Sequence, residues 1–210
     1  MGVFSLITLA ALVSVAGATV RLDRTGTHAL RVAALSAGAA GAQGDAVLAR
    51  PLLTDRSAGL SYSLLSDPWH DGCARTPAAA QFSWTGGESA LAGRLPGGSD
   101  WYANACSAPL PRQFAGQGQA QAAWKVADAI QRMNYGALSH STAVMRSAAV
   151  KVAGRPGWLA EFRLRYSGAA HLAWSSELAA VVVTGHSVFY VSVPANLGTG
   201  TVAALLGSLQ

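Results

Sequence analysis

Charge is scarce in this chain. Acidic and basic residues make up 12% of its 210 residues, about half the ~25% share of an ordinary soluble protein. Lysine occurs only at Lys125 and Lys151, and cysteine only at Cys73 and Cys106. Two cysteines without CxxC spacing make a poor zinc site. Gly-x-Ser-x-Gly, Walker A and HExxH are all missing, which removes the commonest signatures of serine hydrolases, nucleotide-binding loops and zinc peptidases. Gly116-Gln117-Gly118 lacks a third glycine and a preceding strand, so it reads as a loop entering a helix rather than a dinucleotide cradle.

The formal net charge is +5, but the basic residues are scattered. The densest group, Arg163 and Arg165 near Lys151 and Arg155, is interrupted by Glu161. Nucleic-acid binding calls for a basic stripe, often with aromatics that stack on bases. This group reads instead as the wet face of a strand, and no nucleic-acid partner is expected. Hydrophobic residues reach 51%, but many are alanines that add little core volume. The preference for Arg over Lys, with abundant Ala and Gly, points to GC-rich bacterial coding.

The first twenty residues carry no charged side chain, and Val3 to Val20 is almost wholly apolar. At 1.5 Å per residue that run just spans a hydrocarbon core of roughly 30 Å. Residues 1–20 therefore read as a transmembrane anchor, or as a signal peptide cleaved after the small-x-small set Ala16-Gly17-Ala18. Arg21 and Arg24 follow the run, which taken alone favours a cytoplasmic domain, but that rule weakens for long translocated domains. The expected location is the cell membrane with the domain outside the cytoplasm, or secretion if the segment is cleaved. Cys73 and Cys106 form an even count in an exported chain and suggest one disulfide; two buried free thiols are the alternative.

Residues 21–53 read as an Ala/Gly-rich linker, and residues 54–210 as the folded domain. Leu60 to Leu65 alternates as a strand and stops at Ser66-Asp67-Pro68, a turn signal. Ala80 to Trp84 reads as a second strand turned by Gly86-Gly87, with Ser89 to Gly93 continuing it. Pro96-Gly97-Gly98 turns the chain into Trp101 to Cys106. Gln117 to Leu138 is the main helix, with Ala123, Val126, Ala127, Ile130 and Met133 on one face. Ser147 to Ala153 is a further strand, turned by Gly154 to Gly157.

The centre of the chain follows. Trp158, Ala160, Phe162, Leu164 and Tyr166 alternate with Glu161, Arg163 and Arg165, a strand with one dry and one wet face. The runs ending in Val181-Val182-Val183 and Val188 to Val191 lose the polar face, as strands covered on both sides do. Val202, Leu205, Leu206 and Leu209 recur at helical spacing over Thr201 to Leu209, with Thr199 or Thr201 as cap. The class is α+β: an antiparallel sheet of about six to seven strands flanked by two helices.

The GRPGW turn at Gly154 to Trp158 leads into a charged alternating strand. Glu177 then opens an E-x-x-x-V-V-V strand, YVSV follows, and the closing helix ends in Ser208-Leu209. With Tyr62 and Pro68-Trp69 near the start, this order resembles the PsbP-like fold. Relatives of that fold include the PsbP subunit of photosystem II, a Ran-binding nuclear-import factor and LpqN-type actinobacterial envelope proteins. The resemblance spans roughly residues 60–209. It implies an α/β/α sandwich and a leaning toward non-enzymatic binding in the cell envelope. No Ran-binding acidic patch and no manganese-cluster carboxylate set is present, and the cysteine pair departs from the pattern.

His70, Asp71 and Cys73 lie close in sequence and could suggest a Cys-His nucleophile, but a plain Asp-Gly turn is the simpler reading. His140, His171 and His186 lack ligand spacing, so neither a metal nor a cofactor is expected. Glu88, Glu161 and Glu177 include no glycosidase pair that spacing identifies. Of the six tryptophans, most suit a core. Trp69 and Trp101, with Tyr102, fall in turn-rich segments and are the candidate aromatic surface for a glycan, a lipid or another envelope protein. The chain thus reads as a non-catalytic envelope binding protein, with an extracytoplasmic hydrolase as the alternative.

Overall fold

The computed structural model describes residues 51–73, 78–95, 97–136, 138–167 and 174–210. The apolar segment at 1–20, nearly all of the linker and His171 lie outside them. Among the described residues no helix is long and apolar enough to cross a membrane.

Nine strands, three α-helices and two short 3-10 helices are described. A short hairpin opens the fold, β1 (Leu52–Asp55) with β2 (Leu60–Ser63). The main sheet contains β3 (His70–Asp71), β4 (Gly86–Arg94), β5 (Asp100–Pro109), β6 (His140–Val152), β7 (Arg155–Tyr166), β8 (Ser176–Thr184) and β9 (Ser187–Pro194). Their spatial order is β3-β4-β5-β9-β8-β7-β6, and every pair is antiparallel. The helices are α1 (Ala79–Phe82), α2 (Gln119–Tyr135) and α3 (Gly200–Ser208).

The period-two rule sorts side chains to two cores. Ala179, Val181 and Val183 of β8 join Val188 and Tyr190 of β9 and Phe162 and Leu164 of β7 beneath α2, whose Ala123, Val126, Ala127 and Ile130 fill the same layer. The intervening residues, Leu178, Ala180 and Val182 with Phe189, Val191 and Val193, pack under Val202 and Leu205 of α3 and Leu60 and Tyr62 of β2. Every residue of β9 is buried, as expected for a strand covered on both faces. The result is an α+β domain with a seven-stranded antiparallel sheet between helices.

Several local expectations change. Ala80 to Trp84 is not a strand: Ala79–Phe82 is a single helical turn, in keeping with alanine's helix preference. Gly86 and Gly87 do not form a turn but open β4. β6 is almost twice the expected length, since it starts at His140 rather than Ser147. β1 begins at Leu52, inside the expected linker. Thr199 stands at the start of α3 but makes no side-chain capping bond.

The register of β7 is as expected. Phe162 is fully buried, while Glu161 and Arg163 are half-buried and Arg165 is exposed. Phe162→Ala is therefore expected to cost on the order of 3–5 kcal/mol, and Arg163→Ala only about 0.5 kcal/mol. Urea unfolding of both variants checks this; equal losses would contradict the register.

Candidate binding surface

The segment from Leu64 to Asp71 bridges the hairpin and the sheet margin, and several contacts hold it. Leu64 donates its N–H to the Pro51 carbonyl at 2.8 Å, and Leu65 donates to Glu88 Oε2 at 3.1 Å. The Asp67–Pro68 peptide is cis. Trp69 drops into the α3-side core and is only 9% exposed. Immediately after it, His70 and Asp71 pair with Ser89 and Glu88 as the short edge strand.

A disulfide fastens the end of this segment. Cys73 and Cys106 are bonded, with Cα atoms 5.8 Å apart, inside the usual range. Gly87 lies opposite Cys106 in the register. A Cβ on Gly87 would fall 2.0 Å from the Cys73 sulfur and 2.4 Å from the Ala105 carbonyl oxygen, so the close approach of the bridge requires glycine. With the cysteines 33 positions apart in sequence, closing the loop contributes roughly 3–4 kcal/mol in the chain-entropy model.

A second pin is Asp55 at the end of β1, 4% exposed. Its Oδ1 accepts the N–H groups of Ser57 and Ala58 at 3.0 and 3.1 Å. Its Oδ2 accepts the hydroxyls of Thr85 and Ser107, both at 2.7 Å. The hairpin is thereby tied to β5.

Two clefts flank Pro68. The first, about 590 Å³, is lined by Leu65, Pro68 and Trp69 on one side and by Leu197, Thr201 and Ala204 on the other. The second, about 470 Å³, is lined by Pro68, His70, Ser89, Leu91, Asp100 and Tyr102. Leu91 is 51% exposed there. Tyr102 donates its hydroxyl to Asp100 Oδ2 at 3.3 Å, and Arg94 Nε reaches Asp100 Oδ1 at 3.1 Å. The three candidate aromatics thus part company. Trp69 forms a wall of the first cleft and Tyr102 a wall of the second, but Trp101 turns inward.

Trp101 donates Nε1–H to Glu177 Oε2 at 3.1 Å. Glu177 is fully buried, and its carboxyl also accepts the hydroxyls of Tyr135 at 2.7 Å and Tyr166 at 2.8 Å. The Tyr190 hydroxyl lies 2.8 Å from that of Tyr135. Burial pushes the Glu177 carboxyl above its ordinary range, and the tyrosine and tryptophan donors oppose that rise. Neither cleft reaches it. The cluster joins α2, β5, β7 and β9 to the head of β8, and what it does is hold them.

Other chemistry singled out in the sequence is dispersed. The Cys73 sulfur is consumed by the disulfide, so it offers no thiolate beside His70. His140 directs Nδ1 to the Leu138 carbonyl at 2.8 Å. Among the described residues no three His, Cys, Asp or Glu side chains group as a metal site. Glu88, unremarked by spacing alone, proves to be the support of the cleft loop.

No protein-family model and no curated protein matches the sequence. The fold is similar to that of a cyanobacterial PsbP. That solution structure, of CyanoP from Synechocystis sp. PCC 6803, shares 13% identity over 82% of this chain and 99% of its own, with a TM-score of 0.45. No functional conclusion follows from a likeness at this level.

Glu88 yields a pH prediction. It is 4% exposed; burial raises its pKa, the Leu65 N–H opposes the rise, and Asp71 adds to it. A carboxyl with a raised folded pKa binds its proton more tightly in the native state. Its contribution is therefore full below the unfolded value, near 4.3, and is lost as pH rises through the folded value. Denaturant midpoints of the wild type and Glu88→Gln, compared from about pH 4 to about pH 7, should show the wild type losing ground to the variant as pH increases. A constant difference, or one of opposite slope, would contradict the assignment.

Proposed function

We propose that this chain is a non-catalytic cell-envelope protein. Residues 1–20 hold it in the membrane, or direct its secretion when cleaved, and the α+β domain is presented outside the cytoplasm. Its ligand or partner is met at the two clefts beside Pro68, with the Trp69 wall and the Tyr102 ring as contacts. A glycan, a lipid headgroup or a segment of another envelope protein suits clefts of this mixed character.

The observation that carries the reading is the disulfide together with the glycine that makes space for it. Disulfides persist in oxidising compartments, and here the bridge is built into the sheet rather than appended to it. The uncharged N-terminal run leans the same way, as does the resemblance of the sequence to PsbP-like proteins such as the LpqN-type envelope proteins.

The hydrolase reading has one observation in its favour. His70 and Ser89 are directly opposed across β3 and β4, and both line the cleft that also holds Asp100 and Tyr102. Cross-strand partners of this kind have Cβ atoms about 5 Å apart, close enough for a base and a nucleophile. No hydrogen bond joins them in this structure, and Asp100 is already engaged by Arg94 and Tyr102.

Protease treatment of intact spheroplasts, with alkylation under denaturing conditions before and after reduction, tests the main reading. The domain is expected to be cut, and to take up alkylating reagent at Cys73 and Cys106 only after reduction. A protected domain with two free thiols would overturn the compartment. Turnover of generic ester, peptide or glycoside substrates that Ser89→Ala abolishes would replace the binding reading by the hydrolase.

A further inference from the structure

The sheet ends differently on its two sides. At one margin β3 is two residues long and pairs only with Glu88 and Ser89 of β4. At the other, β6 runs for thirteen residues and pairs only with β7 among the described residues. Seven consecutive residues, 141 to 147, are exposed. Both faces of this stretch meet solvent, with Val144 at 62% and Met145 at 48% exposure. A long edge of this kind carries a row of backbone N–H and C=O groups open to another strand.

Met145 stands out of register between Val144 and Arg146. Such a bulge blunts an edge, and it leaves His140–Val144 as a separate regular stretch. Ser141 is opposite Arg165 and Ala143 opposite Arg163, on the face away from α2. On the other face Thr142 and Val144 lie opposite Leu164 and Phe162, which belong to the α2-side core. Arg146 pairs with Glu161 at 3.3 Å. No carboxylate partner is present for Arg163 or Arg165 among the described residues.

From this we propose that the β6 edge accepts an extended peptide with alternating acidic and apolar residues. The strand pairs with His140–Val144 by β-augmentation. Its acidic side chains fall beside Ser141 and Ala143, where they meet the guanidinium groups of Arg165 and Arg163. The added strand lies two strand spacings, roughly 10 Å, from β7, and the small side chains between leave both arginines free to lean across. Its apolar residues cover Val144 and Thr142 on the α2 side.

Charge selects this occupant over two others. A second copy pairing edge to edge would bring two sets of Arg146, Arg163 and Arg165 onto one face with only two Glu161 to offset them, and like charges across strands oppose pairing. Single-stranded nucleic acid needs aromatic platforms, whereas the neighbours on this face are Ser141, Ala143, Ala148, Leu159 and Leu178. The inference rests on the reading of the chain as a binding protein but not on the clefts beside Pro68.

The test is fluorescence anisotropy of the full chain in detergent, at low ionic strength, with a labelled and capped peptide of alternating glutamate and valine. Saturable binding is expected. It should weaken about tenfold or more with Arg163→Glu/Arg165→Glu and by a smaller factor with Arg163→Gln/Arg165→Gln. It should vanish when alternate backbone nitrogens of the peptide are methylated, and remain unchanged in Tyr102→Ala. Equal binding of a peptide with its glutamates consecutive, or of the methylated peptide, would overturn the proposal. So would stronger binding of a single-stranded oligonucleotide or of phosphatidylglycerol vesicles through the same arginines. Loss of binding in Tyr102→Ala would place the peptide in the clefts and overturn it equally, while leaving the cleft reading intact.

Discussion

Glu177 sits at the head of β8 with no exposed surface, and a carboxyl in that position is costly unless its lone pairs are filled. Tyr135 reaches it from α2, Tyr166 from β7 and Trp101 from β5, while Tyr190 of β9 backs Tyr135. Satisfying one group thus fixes the helix against four strands. Removing Tyr135 takes the donor from Oε1, a larger loss than the bond itself was worth, whereas Oε2 keeps one donor when either Trp101 or Tyr166 is removed. Two of the rings that deliver these donors also pack on each other, with Trp101 5.4 Å from Tyr135 between ring centroids, and Trp101 further packs on Trp174 at 6.4 Å. Polar satisfaction and apolar packing are here the same contacts, which explains why Trp101 is spent on the interior although its neighbour Tyr102 lines a cleft.

The scarcity of charge has a counterpart in the architecture. β8 and β9 are covered on both faces, so apart from Glu177 and Tyr190 their side chains are apolar or small, and other charged residues stand toward the margins. Asp55 and Glu88 hold the hairpin and the cleft loop at one side. Arg146, Glu161, Arg163 and Arg165 gather at the other. The disulfide strengthens the side where the local structure is thinnest, a two-residue strand and an irregular segment. The surfaces open to a partner therefore lie at the margins, and the centre of the sheet is given over to stability.

Much of this fold was legible in the sequence wherever one side of an element is dry and the other wet. The alternation of β7 and the spacing of α2 each report a single buried face, and the valine runs of β8 and β9 report two. Where that contrast vanishes, so does the signal. The first half of β6, Ser-Thr-Ala-Val-Met-Arg, is wet on both faces and shows no period. Ala79–Phe82 is too short for a helical pattern, and its alanines are neutral between strand and helix by apolarity alone. Gly86-Gly87 reads locally as a turn, but Gly87 answers to the Cys73 sulfur, fourteen positions earlier in the chain. Glu177 was visible as the residue opening its strand, but not as a hub, because its donors lie 11, 42 and 76 positions away. The separation of Trp101 from Tyr102 is the ordinary alternation of neighbouring strand residues, but the inward partner of Trp101, Glu177, is non-local.

Native-state hydrogen exchange followed by peptide mapping measures the claim that stability is concentrated at the centre and withheld from the margins. Amides of β8 and β9 are expected to exchange only through global unfolding, at one common free energy. Amides of the 66–71 segment, and the outward-facing ones of residues 141–147, should exchange through local opening and far sooner. Protection of residues 141–147 equal to that of β8, or piecemeal exchange within β8 and β9 while the margins stay closed, would contradict the account.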